Sequence, residues 1–123
     1  MNTKMLKRYI LDSVNDAQLL IPKRELNEFS DNAKSILIFG KGNYWLQEII
    51  SQFKALFDEI DPTNVHKVLC CIFYNQNSSN ELHINDLNTI CQFFNQFTEL
   101  IPIVGLYKND KLRDTFELIV LIE

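Results

Sequence analysis

A surplus of basic residues is missing from this sequence. Its 123 residues carry 12 Lys+Arg against 16 Asp+Glu, a formal net charge of −4. A domain that grips nucleic acid by its phosphates carries the opposite balance, so no nucleic-acid partner is expected. No apolar run approaches the roughly 20 residues that a membrane-spanning helix needs, and no membrane partner is expected either. The stretch Met1-Asn2-Thr3-Lys4-Met5-Leu6-Lys7 is basic but lacks the apolar core of a secretory signal. The expected location is therefore cytoplasmic. Disorder is excluded too, because 46% hydrophobic and 23% charged residues is the composition of a folded domain. The length suits one such domain.

Cysteine is scarce and unevenly placed. Cys70, Cys71 and Cys91 make an odd set with no CxxC spacing. Adjacent residues of a strand point to opposite faces, so Cys70 and Cys71 are poorly placed to bridge. His66 and His83 lack ligand spacing to them. Reduced thiols acting as small core hydrophobes are expected, with a zinc site or a reactive thiol as the alternatives. No metal and no cofactor is assigned.

Glycine is scarcer than a phosphate-cradling loop needs. Gly40, Gly42 and Gly105 are all there are. Gly40-x-Gly42 sits between a predicted strand and a predicted helix, but the third glycine of a dinucleotide fingerprint is replaced by Trp45. Gly42-Asn43-Tyr44 is not the Gly-Lys-Ser/Thr of a P-loop. A plain strand-to-helix turn is expected, with room for a small anion near Asn43.

What is present is a clear alternation of elements. Leu6, Tyr9, Ile10, Val14, Ala17, Leu20 and Ile21 recur at helical spacing, predicting a helix over 4–21 that Pro22 closes. Residues 23–34 read as irregular, with one helical turn after Ser30. Ser35–Phe39 is a short buried strand. Asn43 is the expected cap of a helix carrying Trp45, Ile49, Phe53, Leu56, Phe57 and Ile60, which Asp61-Pro62 ends. Lys67–Phe73 is almost wholly apolar, as in a strand covered on both faces. Asn85 is the expected cap of a helix lined by Leu87, Ile90, Cys91, Phe94 and Phe97, with Asp86 favourable near its positive end. Ile101–Tyr107 and Phe116–Ile122 read as two strands, and Lys108–Lys111 as the turn of an antiparallel hairpin. The sum is an α+β two-layer sandwich with elements in the order α-β-α-β-α-β-β. A four-stranded mixed sheet carries two helices on one face, and an extra N-terminal helix lies outside that unit. No repeat is visible. Trp45, Phe94 and Phe97 are expected in the core, and Tyr44 at the surface.

The one pattern that suggests chemistry is a pair of acids. Glu28 and Asp31 are three apart, so on a helical turn they would share a face. Two such carboxylates can orient a water or hold Mg²⁺, although a solvated polar face has the same pattern.

The order of these segments resembles a known family. Lys67–Ile72, a polar loop, Glu81-Leu82-His83-Ile84-Asn85-Asp86-Leu87, a helix, Ile101-x-Ile103-Val104-Gly105, a polar turn and Phe116–Ile122 look like the C-terminal domain of FtsZ, the bacterial tubulin homologue. Ser35–Gly42 resembles that domain's first strand with its Gly-x-Gly. Leu26-Asn27-Glu28-Phe29-Ser30-Asp31 resembles the family's synergy loop, Asn-x-Asp-Phe-Ala-Asp. Glu28 here replaces the loop's first Asp, and Leu26 stands where the loop has Asn. An Asn/Ser-rich loop over 75–80 replaces the family's Gly-Gly. The resemblance divides the single domain 1–123 into a leading helix (1–22), a synergy-loop-like segment (23–34) and the sandwich (35–123). It also implies that no GTP-binding domain accompanies these residues.

By that resemblance Glu28 and Asp31 could act only in trans, on a nucleotide held by another subunit. No catalytic residue of its own is assigned. The expected function is a non-catalytic interaction module that docks on an FtsZ-like GTPase or on itself as a homodimer. The alternative is a small α+β metabolic enzyme or ligand-binding domain with its site at an oligomer interface. Its anion-binding candidates are Lys23, Arg24, Lys41, Lys111 and Arg113. A piece cut from a longer chain is a third possibility, against which Met1 argues.

Overall fold

Strand β3 (Val68–Tyr74) sets the architecture, because all seven of its residues are buried. A strand apolar on both sides needs a neighbour along each edge and a cover over each face. The computed structural model, which describes residues 2–123, supplies all four. The elements are α1 (Thr3–Asp12), β1 (Ala17–Leu19), α2 (Lys23–Asn27), β2 (Lys34–Lys41), α3 (Trp45–Phe57), β3, α4 (Ile84–Thr98), β4 (Ile103–Lys108) and β5 (Thr115–Ile122). The sheet order is β1-β4-β3-β5-β2. Strand β3 pairs in parallel with β4 and antiparallel with β5. Strand β2 pairs antiparallel with β5, and β1 antiparallel with β4.

The two faces of β3 feed two cores. Val68, Cys70, Ile72 and Tyr74 join Ile38, Phe116, Leu118 and Val120 beneath α3 and α4. Leu69, Cys71 and Phe73 join Ile119 and Leu121 beneath Leu6 and Ile10 of α1, with Leu26 and Phe29 beside them. Each such side chain contributes about 1.5–3 kcal/mol when fully buried. Between α3 and α4 the contact is aromatic, with Phe57 stacked on Phe97 at 3.9 Å and Phe53 edge-on to Phe94 at 5.0 Å. The α+β sandwich expected from the sequence is present, with α3 and α4 on one face, and the N-terminal helix lies against the other face.

Several local expectations are corrected. The sheet has five strands, not four, because the predicted helix over 4–21 stops at Asp12. The Ser13 hydroxyl donates to the Tyr9 carbonyl at 2.9 Å, and the chain reverses through Val14–Asp16 into β1. Helical spacing continues through Val14 and Leu20, but both are half exposed. The backbone there is better used covering the edge of β4. The hairpin between β4 and β5 does not form, since β3 lies between them. Residues 109–114 instead step over the end of β3, where the Asn109 amide donates to the Tyr74 carbonyl at 2.8 Å. A step of two strand spacings, about 10 Å, is within reach of that segment. The helical turn lies before Ser30, as α2, not after it. Helix α3 ends at Phe57 rather than Ile60, and a 3₁₀ turn at Gly42–Tyr44 opens it without a side-chain cap from Asn43. The N-cap of α4 is His83, not Asn85, and the Asp86 carboxylate accepts from the His83 amide at 2.9 Å.

The predicted core aromatics Trp45 and Phe94 are buried, Phe97 is partly so, and Tyr44 is exposed. Cys70 and Cys71 lie in opposite cores as free thiols, and Cys91 is also free. Among the described residues, no helix is long and apolar enough to cross a membrane.

Candidate functional site

The two acids singled out in the sequence lie at the end of the sheet where β2 and β3 begin. Helix α2 ends at Asn27, so residues 28–31 form a turn, and the shared helical face expected for Glu28 and Asp31 is absent. Both acids are exposed, one on each side of Phe29, which is fully buried. Burial of Phe29, Leu26 and Ala33 in the α1-side core anchors the turn from within.

Polar contacts fix it from both sides. From α1, Lys7 Nζ donates to the Phe29 carbonyl at 2.6 Å and pairs with Asp31 Oδ1 at 3.2 Å. Thr3 Oγ1 donates to the Ala33 carbonyl at 2.6 Å and shares a 2.7 Å hydrogen bond with the Ser35 hydroxyl. From the sheet, Lys67 Nζ donates to the Glu28 carbonyl, lies 5.4 Å over the Phe29 ring and pairs with Glu123 Oε1 at 3.4 Å. The Glu123 carboxylate accepts from both the amide and the hydroxyl of Ser30. These two hydrogen bonds, more than Lys67, hold the Glu123 carboxyl below the usual glutamate range. Asp31 is thus engaged by Lys7, whereas for Glu28 the fold uses the carbonyl and leaves the side chain at the surface.

Lys7, Ser30, Lys67 and Glu123 were not singled out in the sequence. Lys67 and Glu28 are 39 positions apart, and Ser30 and Glu123 are 93 apart. No local spacing signals such contacts. Only the pairing of strands and the docking of α1 create them.

The opposite end of the sheet, beyond the carboxyl ends of β3 and β4, holds a polar cleft of about 580 Å³. Its lining includes Tyr9, Ser13, Asp16, Gln76, Lys108 and Lys111. The Tyr9 hydroxyl accepts from Asn109 Nδ2 at 3.1 Å. Burial, reinforced by the charge of Glu117, pushes that hydroxyl up to about 12. Burial also raises the Glu117 carboxyl, against a hydrogen bond with Tyr9 that lowers it. Of the basic residues considered as anion ligands, Lys111 borders this cleft and Lys23 borders a separate groove beside α1. They are not brought together. Among the described residues, no group of three or more His, Cys, Asp and Glu is arranged to hold a metal ion.

With five strands in this order and the acid-bearing turn ahead of β2, the fold can be placed among known ones. No protein-family model and no curated protein sequence matches the chain. Solved structures do. A tryptophan-to-tyrosine mutant of FtsZ from M. jannaschii superposes with a TM-score of 0.67 at 12% identity, over 97% of this chain and 38% of that one. An empty FtsZ dimer from the same organism gives 0.60 at 10% identity with the same coverage. The chain therefore has the fold of a C-terminal-domain-sized part of FtsZ. It spans well under half the length of the FtsZ chains it matches.

Proposed function

We propose that this chain is a non-catalytic interaction module that docks on an FtsZ-like GTPase filament and alters its assembly. The observation that carries this reading is the match of 97% of the chain to 38% of FtsZ, with the acid-bearing turn clamped by Lys7 and Lys67 at one end of the sheet. In the family this turn meets nucleotide on a neighbouring subunit. Presenting this turn to the nucleotide of an end subunit would occupy the face that the next subunit needs. Glu28, whose side chain is free at the surface, would approach the neighbour's nucleotide in trans, and Asp31 would do so only by leaving Lys7. The binding test is fluorescence anisotropy of the labelled chain titrated with the host's own FtsZ, with GTP and with GDP. Saturable binding that favours GTP is expected and should weaken on Asp31→Lys. Unchanged anisotropy at excess FtsZ would remove this partner.

The polar cleft at the carboxyl ends of β3 and β4 favours a second reading, a site for a small polar ligand, since open α/β sheets bind ligands at that end. A rise in melting temperature with a metabolite panel, abolished by Lys111→Ala, would support it over the filament reading.

A further inference from the structure

The charges of α1 run against its own dipole. A helix favours acids in its first turn and bases in its last. Helix α1 has no acid in its first turn and no base in its last. Lys4 sits at the positive end and Asp12 at the negative end. Its inner face, Thr3, Leu6 and Ile10, is spent on the core, so these charges belong to the outer face. Apolar surface accompanies them there. Met5 is 54% exposed and Val14 and Leu20 are each 49% exposed. A groove of about 600 Å³ borders Lys4, Met5, Arg8 and Asp12, and a smaller one of about 330 Å³ shares Arg8 and Asp12 and reaches Val14 and Leu20 in the segment after the helix.

We infer that this outer face of α1 is the interface between two copies of the chain, packed helix to helix and antiparallel. A two-fold axis through Arg8 sets Lys4 of one copy opposite Asp12 of the other, twice over. Each Arg8, at the axis, is already paired with Asp12 of its own helix at 3.2 Å. Antiparallel packing also brings each Lys4 to the carbonyl end of the other helix and each Asp12 to the amide end. The placement that is unfavourable in one copy becomes favourable in two. A C₂ contact of this kind is self-complementary, as the commonest homodimers are. It uses neither Glu28 nor the polar cleft, although the groove borders Asp31 of the acid-bearing turn.

The test is sedimentation equilibrium of the intact chain over concentrations up to about 100 µM, where weak interfaces are populated. The wild type is expected to associate to a dimer and no further. Lys4→Asp and Asp12→Lys, each alone, are expected to weaken the dimer by roughly tenfold or more through two like-charge contacts. An equimolar mixture of the two variants should recover a heterodimer, because every facing pair is then of opposite sign. Lys4→Asp also suits the helix dipole better, so its melting temperature at low concentration should not fall, which separates lost association from lost folding. A wild type that stays monomeric throughout would overturn the inference. So would single variants that dimerise like the wild type, or a mixture that fails to recover.

Discussion

Gly40 is fixed by contact, not by backbone angle. A Cβ added there would lie 2.2 Å from the carbonyl oxygen of Trp45, which is backbone at the start of α3. Backbone cannot swing aside, so Gly40→Ala should cost about 2–3 kcal/mol in urea unfolding. At Gly105 the added Cβ meets Cγ1 of Ile21 at 2.5 Å and the Tyr107 ring at 2.9 Å, both buried in the core, so Gly105→Ala should also destabilise through overpacking. Glu123 gives a prediction in pH. Its carboxyl is held below the usual range by Ser30, so its contribution is present at neutral pH and is lost as the pH falls through the folded value. Glu123→Gln should therefore melt below the wild type at pH 7, and the gap should close at acid pH, once the carboxyl is protonated in both states. An equal gap at both pH values would show that the Ser30 contact adds nothing through ionisation.

At the scale of elements, the sequence showed most clearly those whose pattern is local. The apolar run of β3 and the stripes of α3 and α4 depend only on neighbouring residues, and all three elements form, with their ends moved by a few residues. The misreadings fall where a long-range partner decides. Val14–Ile21 keeps helical spacing, yet the open edge of β4 draws Ala17–Leu19 into a strand. Lys108–Lys111 reads as a hairpin turn, yet β3 needs both β4 and β5 as neighbours and separates them. The acid-bearing turn was visible as a motif around Phe29, while its clamp of Lys7, Lys67 and Glu123 was not. Helix α4 offers a direct check at this scale. The Asp86 carboxylate takes the otherwise free amide of His83 and faces the positive end of the helix. Asp86→Ala should lower stability by about 1 kcal/mol in chemical denaturation, and Asn85→Ala should do much less.

Over the whole molecule, the two cores explain why so short a chain can stand behind a five-stranded sheet. Without α1, the face bearing Leu69, Phe73, Ile119 and Leu121 would be open to water. The same docking places Lys7 on Asp31, so the packing that completes the second core also sets the acid-bearing turn. Fold and proposed site are therefore coupled. Leu6→Ala, at a fully buried position, should cost about 2–5 kcal/mol. It should also loosen the turn, read as faster amide exchange at Ser30 and Asp31.

The central claim, docking on an FtsZ-like filament, is most directly tested by co-sedimentation. The host's FtsZ is polymerised with GTP at rising ratios of this chain, and pelleted polymer and released phosphate are read together. Polymer mass is expected to fall at substoichiometric ratios, with the chain appearing in the pellet. Glu28→Gln should leave both the loss of polymer and the phosphate released per polymer unchanged, as a non-catalytic module requires. Polymer mass and phosphate release that both stay constant at excess chain, with none of it in the pellet, would contradict the account.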